Sequence, residues 1–344
     1  MRIEELCNLA KRKRLDLLLV RHQASVRAIA GINCDNAILT ISVSDRGKSA
    51  AVYTDFRYAA MVHRLAPGLK CCDIKRFVTL AKTKPRRIGY ESSVAHSTFV
   101  AWKKLFKNAA FVEVDKDIAG MRAVKSADEI AGLRAAEKLN CQIWEMAKNR
   151  FRAGMSERRM AGIIKKLMID YGDGEAFDTI VCVGKNAAEC HHEPDDTIWN
   201  GRDAVLVDMG VKLNGFCSDL TRNLKPKRAS VAYRKAYDLV LRANLSAIAA
   251  AKPGITGKRL DKIARDIIAK GGFGKCFGHS LGHGVGYEIH EAPYASKKSA
   301  MKLKSGMLVT IEPGIYLEHN FGVRIEDLVL ITDTGCEVLS NSEK

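Results

Sequence analysis

Residues 204–224 read A-V-L-V-D-M-G-V-K-L-N-G-F-C-S-D-L-T-R-N-L, two apolar, strand-like halves around Asn214-Gly215. Asn-Gly between such halves is a strong short-range hairpin signal, because a tight two-residue loop needs positive φ at both positions. With Asn214 and Gly215 in the loop, Gly210 faces Asp219, and Asp208 lies diagonal to Asp219. With the loop at Leu213-Asn214, Asp208 and Asp219 face each other directly. Side chains alternate with a period of two along a strand, so either register puts both carboxylates on one side of the sheet. Like charges placed so are destabilising unless something cationic lies between them.

Working outward, a second run has the same character: G-M-L-V-T-I-E-P-G-I-Y-L-E-H-N-F-G-V-R-I-E-D-L-V-L-I, residues 306–331. A loop near Glu318–Asn320 sets Glu312 opposite Glu326, both within apolar β-rich sequence. A buried carboxylate needs a partner such as a metal ion. Between the two runs stands L-G-H-G-V-G-Y-E-I-H-E-A-P, residues 281–293, with His283 set among glycines and His290 further on. A strand Asp alone is usually a surface or turn residue, and a lone His is usually a satisfied core residue. The conjunction of Asp208, Asp219, His283, Glu312 and Glu326 is a hard, oxygen-rich donor set. It suits two divalent ions such as Mn²⁺ or Co²⁺ better than a sulfur-bound structural zinc, while catalytic Zn²⁺ also accepts such donors.

The flanks supply the scaffold. Ser126 and Glu129 form the S-x-x-E pattern of a capping box and open a helix to about residue 150. Ser156 caps a second helix to about Tyr171, and two more helices are expected over 229–251 and 256–270. Two helices followed by strands, twice over, suggest an internal duplication. Before the boundary near residues 120–128, short strands are expected at Leu17–Val20, Asn36–Val43, Ser49–Thr54, Arg87–Tyr90 and Ala110–Val114. A turn at Ser44-Asp45-Arg46-Gly47 joins the second and third, and a helix is expected over Arg57–His63.

A chain of 344 residues is long for one core and implies two domains. Its 47% hydrophobic and 28% charged residues are globular in kind. The net charge of +17 is uneven: residues 1–126 carry 24 basic against 11 acidic side chains, and residues 127–344 carry 32 against 28. No RNP, zinc-finger or helix-turn-helix signature accompanies this surplus, so nucleic-acid binding is not expected. The ten cysteines include no C-x-x-C pair, and they read as reduced core residues. No run of about 18 apolar residues spans a membrane. The start M-R-I-E-E-L-C lacks a signal-peptide core, so a cytoplasmic location is expected.

With these residues in view, the chain resembles the metallopeptidases of the pita-bread fold: aminopeptidase P, prolidase and methionine aminopeptidase. The motifs that carry the resemblance are V-D-M-G (207–210), S-D-L-T-R (218–222), G-H-S-L-G-H-G-V-G (278–286), I-H-E-A-P (289–293), T-I-E-P-G-I-Y (310–316) and V-R-I-E-D (323–327). They occur in the family's order and spacing. The resemblance implies an α/β N-terminal creatinase-like domain over 1–122, followed by an α+β pita-bread catalytic domain over 123–344. An N-terminal domain of that size points to the aminopeptidase P and prolidase branch.

It further implies that Asp208 is the terminal ligand of one metal, that Asp219 and Glu326 bridge, and that His283 and Glu312 bind the other. A hydroxide held between the ions is then the nucleophile, with Glu312 accepting the proton. His290 and His279 match active-site histidines of the family, and Arg324 matches a residue that orients a metal-bound carboxylate. The remaining histidine falls in G-K-N-A-A-E-C-H-H-E-P. The family's spacing to the first aspartate selects His191 and leaves His192 as an exposed neighbour. The E-C-H-H-E context departs from the usual apolar-Pro-His-Gly, so the choice between the two stays open here. The implied substrate is a peptide or dipeptide with proline second, and the implied assembly is a homodimer. A broader metalloaminopeptidase, a non-hydrolytic binding protein and a metal-independent creatinase-type enzyme are the alternatives, and the full ligand set speaks against the last two.

Overall fold

The run Leu17–Val20 (β1) has no polar face, and all four residues are buried inside a six-stranded sheet. The structure, a computed structural model, describes residues 2–44 and 47–344. It divides into two compact units, Met1–Arg122 and Ala123–Lys344. The first holds β1, β2 (Ile38–Ser44), β3 (Gly47–Thr54), β4 (Lys70–Asp73), β5 (Arg87–Tyr90) and β6 (Ala110–Glu113), in the order β4-β3-β2-β1-β5-β6. Strands β1, β2 and β3 pair antiparallel, and the outer pairings are parallel. Helices α1 (Ile3–Arg12), α2 (Gln23–Ala30), α3 (Phe56–Leu65), α4 (His96–Leu105) and α5 (Asp115–Ala123) complete this part of the chain. Alternation along β1 explains why both faces need cover. Leu18 and Val20 join one apolar cluster with Leu6, Leu9 and Ile29, whereas Leu17 and Leu19 join another with Phe77, Tyr90 and Trp102. The expected turn between β2 and β3 lies, at residues 45 and 46, outside the described residues.

The second unit repeats one plan. Ser126 and Glu129 exchange both bonds of a capping box at the head of α6 (Ala127–Lys148). Helix α7 (Glu157–Tyr171) is capped by Ser156, α8 (Val231–Ala250) by Ser230, and α9 (Gly257–Ile268) by Thr256. Gly154 and Gly254, at φ of 90° and 89°, turn the chain into the caps Ser156 and Thr256. Those caps bridge Ile198 and Lys302 respectively. The first helix of each pair buries an asparagine, and its amide donates to a strand carbonyl: Asn140 to Met209 at 3.0 Å, and Asn244 to Ile311 at 2.9 Å. Each of those carbonyls belongs to a residue next to a candidate acid, Asp208 or Glu312.

The strands are β7 (Ile180–Val183), β8 (Val205–Met209), β9 (Lys212–Leu213), β10 (Phe216–Cys217), β11 (Leu220–Leu224), β12 (Gly282–Gly284), β13 (Glu291–Ala295), β14 (Leu308–Ile311), β15 (Gly314–Leu317), β16 (Phe321–Arg324), β17 (Asp327–Ile331) and β18 (Cys336–Val338). They form three-stranded sheets β11-β8-β7 and β14-β17-β18 together with two-stranded pieces. All ten cysteines are free, but only Cys7, Cys34, Cys141, Cys182 and Cys217 are buried; the other five are half-buried, which corrects their reading as core residues throughout. No helix among the described residues is long and apolar enough to cross a membrane.

Candidate metal centre

Leu213 pairs with Phe216 and Asp208 with Thr221, so the loop is Asn214-Gly215, with φ of 51° and 75°. This is the first of the two registers, with Asp208 diagonal to Asp219. Gly210 is required at the crossing point, since a Cβ there would lie 2.2 Å from the Ser218 carbonyl oxygen. In the second hairpin Ile311 pairs with Asp327 and Gly314 with Arg324. The register is the same on both sides of the break, which sets Glu312 across from Glu326 as expected.

His283 reaches this cluster on β12. A Cβ on Gly282 would meet the Thr310 carbonyl oxygen at 1.8 Å, so glycine is what lets β12 lie against β14. The Thr310 hydroxyl accepts the His283 N–H at 3.0 Å and donates to Glu312 at 3.1 Å. His283 Nδ1 lies 3.2 Å from the Gly284 carbonyl oxygen and donates to it, which leaves the lone pair on Nε2. Nε2 stands 3.3 Å from Glu312 and 3.6 Å from Asp219. Burial, then His290, lowers the His283 pKa to about 4, so the ring is neutral and available as a ligand.

The nine residues expected at the site come together. His191, Asp208, Asp219, His279, His283, His290, Glu312, Arg324 and Glu326 line one cavity of about 370 Å³. The two neighbouring histidines face different surroundings. His191 lines the cavity, whereas His192 points into a buried carboxylate, with Nε2 2.7 Å from Glu157. The expectation that His192 is exposed fails, because only 12% of its side chain is accessible.

Arg324 is the hub. It donates to Asp208 at 2.6 Å, to the Tyr316 hydroxyl at 2.8 Å and to Thr221 Oγ1 at 3.1 Å. The Thr221 hydroxyl in turn donates a hydrogen bond to Glu326 at 2.7 Å. The Tyr316 hydroxyl lies 2.9 Å from His279 Nε2, and His279 Nδ1 lies 2.8 Å from the Ser280 carbonyl oxygen. His279 therefore donates from Nδ1 and accepts from Tyr316 at Nε2. Burial and the Arg324 charge lower its pKa to about 4, in keeping with a neutral ring.

The acids are short of positive charge. Burial pushes Glu312 up to about 8. Burial first, then Glu326, raises Asp219 well above the carboxylate range, and burial with Glu312 does the same to Glu326. Asp208 Oδ1 is buried and accepts no hydrogen bond. Donor atoms of Asp219, His283 and Glu326 lie within 4.8 Å of one another. Repelling carboxylates, a spare acceptor and an imidazole lone pair are what a divalent cation would satisfy, so the residues fit such ions.

Sequence reasoning missed Thr221, Thr310, Tyr316 and Glu137. The first three sit inside or beside the quoted motifs, where a hydroxyl next to a ligand was a usable signal. Glu137 is a fully buried helix residue that accepts the Asp219 N–H at 3.1 Å and the Ser340 hydroxyl at 2.5 Å. Burial raises its pKa to about 7. Nothing in its local sequence announces this.

Residues 131–333 match the family model of metallopeptidase family M24, and residues 2–124 match that of the creatinase/prolidase N-terminal domain. The uncharacterized peptidase YqhT of Bacillus subtilis is 33% identical over 100% of this chain and 99% of its own. Among solved structures, the prolidase from Pyrococcus furiosus is similar, with a TM-score of 0.91 and 32% identity, over 98% of this chain and 99% of that one. The Xaa-Pro dipeptidase from Bacillus anthracis gives a TM-score of 0.94 and 31% identity, covering 100% and 98%.

Proposed function

The chain belongs to metallopeptidase family M24, with a creatinase/prolidase N-terminal domain, and from that premise we propose that it hydrolyses the bond between a first residue and a proline. The observation that carries this reading is the convergence of Asp208, Asp219, His283, Glu312 and Glu326 in one cavity with three further histidines. The names of the similar prolidase and Xaa-Pro dipeptidase support the substrate class.

Asp208, Asp219, His283, Glu312 and Glu326 would hold two divalent ions, Mn²⁺ or Co²⁺ by the hardness of the donors. When bound, the ions supply a water-derived nucleophile at neutral pH and polarise the scissile carbonyl. The side chains do the rest. Glu312 accepts a proton from the attacking water. Arg324 fixes Asp208 and, through Thr221, the orientation of Glu326. His279 and Tyr316 lock the other face of Arg324. His290 and His191 line the cavity from segments outside the acid hairpins and serve the substrate, His290 at the developing oxyanion. Phe177, Ile180 and Ile289 give the cavity an apolar wall suited to a proline ring.

Proline at the second position makes a tertiary amide with no N–H and a fixed ring. A site shaped for it loses ring contacts when alanine replaces proline. Xaa-Pro is therefore expected to exceed Xaa-Ala by at least about tenfold in kcat/KM for the same first residue. Assays with Mn²⁺, Co²⁺ and Zn²⁺, on dipeptides and on longer peptides, measure this. Equal rates on Xaa-Pro and Xaa-Ala would move the reading to a broader aminopeptidase.

A further inference from the structure

Glu157 opens α7, and its carboxylate is fully buried. Four donors converge on it. Oε1 accepts the Val183 N–H at 2.6 Å and the Asn186 amide at 2.9 Å. Oε2 accepts His192 Nε2–H at 2.7 Å and the Asp195 N–H at 3.1 Å. All four come from the segment that begins at the end of β7 and carries His191. The first turn of α7 holds the same segment by its backbone: the Glu157 N–H donates to Thr197 O at 3.1 Å and the Arg158 N–H to Asp195 O at 3.0 Å. On its far side the segment is fixed to the acid cluster, because the Cys190 carbonyl accepts from Arg324 at 3.4 Å. Between the two anchorages His191 lines the cavity and His192 turns away into Glu157.

Glu157, His192 and Asp195 also offer ligand-type atoms within 4.8 Å of one another. Both Glu157 oxygens already accept two N–H groups each, so the cluster is a hydrogen-bond node rather than a cage for a cation. Burial works against the charged form of His192, but the hydrogen bond and charge of Glu157, with Glu189 and Asp195, together outweigh it and raise the pKa.

We propose that Glu157 and His192 are positioning residues for hydrolysis: their buried pair fixes the segment so that the residue just before His192, His191, stands in the cavity beside the acid cluster. The proposal rests on the reading of His191 as a substrate-contacting group. Removing the pair leaves the acids and their hairpins in place but lets His191 wander, and misplacement on the order of 1 Å is costly to catalysis.

The test is a double-mutant cycle on the full chain loaded with Mn²⁺ and assayed on an Ala-Pro dipeptide, with bound metal measured for every variant. His192→Ala, on a partly accessible loop, avoids the folding risk of Glu157→Gln. It is expected to lower kcat about tenfold, with KM and metal content nearly unchanged. His192→Gln, whose amide N–H can replace Nε2–H, is expected to recover most of that loss. In the His191→Ala background, His192→Ala is expected to cost less than about twofold further, because its effect passes through the residue already removed. The same cost in both backgrounds, no loss from His192→Ala, or loss of a bound ion in that variant would each overturn the proposal. No effect of His191→Ala on its own would instead sink the reading of His191, and the single variant reports that separately.

Discussion

Asp219→Asn is expected to lower peptide hydrolysis by about 10³-fold or more and to strip bound metal, while leaving the metal-free fold at least as stable as before. The first half follows from position. Asp219 is buried on the hairpin facing His283 and shares a cluster of donor atoms with His283 and Glu326. Its carboxylate is acceptor-only when ionised, whereas an amide presents two N–H groups to the same space. A lost nucleophile and a lost Lewis acid together exceed about 4 kcal/mol of barrier.

The second half is a matter of sign. Asp219, Glu326 and Glu312 all have pKa values raised above their unfolded ones, Glu312 to about 8. Between the ordinary carboxylate range and about pH 8 the metal-free native state thus holds more protons than the unfolded chain. Its stability falls as pH rises through that window. Asn cannot ionise, so the variant escapes part of this penalty at neutral pH. Ions held by the cluster would offset the penalty in the parent protein, by about 2.7 kcal/mol for each site when free metal exceeds its Kd a hundredfold. Thermal melts at pH 5 and pH 8, with and without chelator, should show metal-dependent stabilisation at pH 8 in the parent and little in the variant. An Asp219→Asn protein that keeps both its metal and its turnover would remove the acid cluster from the chemistry.

The parts of this site legible in the sequence are those fixed by local chemistry. Asn214-Gly215 announces a turn that needs two positive φ angles, and the strand period then aligns Asp208 with Asp219. The caps Ser126 and Ser156 are likewise decided within a few residues. What escaped depends on partners far away in the chain. His192 looks exposed beside charged Glu189 and Glu193, but Glu157, on another element, buries it. Glu137 reads as an ordinary helix acid, and only packing against the loop before β11 and against Ser340 makes it a buried acceptor. Helices α2 and α4 went unnoticed because neither has a side-chain cap, although Gly31, at φ 74°, does stop α2. Strand β4 was missed because Lys70-Cys71-Cys72-Asp73 has no β-branched or aromatic residue to mark it, unlike the equally exposed edge strand β6.

His283→Ala and His290→Ala should separate ligand from catalyst, although the two rings stand only 4.3 Å apart, centroid to centroid. His283 has its Nδ1 committed to a backbone carbonyl and its Nε2 turned to Asp219 and Glu312. Its removal takes away the one imidazole among the candidate ligands, so metal occupancy is expected to fall and activity with it. His290 precedes β13, is exposed where His283 is half-buried, and packs edge-on against the His283 ring. Burial of its inner face lowers its pKa, while Asp208 pulls the other way. That position suits a donor to the substrate's carbonyl oxygen as negative charge develops there, a contact that strengthens only on the way to the transition state. Losing one such donor costs about 10²–10³-fold in kcat and leaves ground-state binding largely intact. His290→Ala is thus expected to keep its full complement of metal and a nearly normal KM, with kcat lowered by that factor. His283→Ala should respond to added metal by recovering part of its activity, whereas His290→Ala should not. Metal analysis beside steady-state kinetics decides the matter: equal metal loss in both variants would make His290 a ligand and return its place at the oxyanion to another side chain of the cavity.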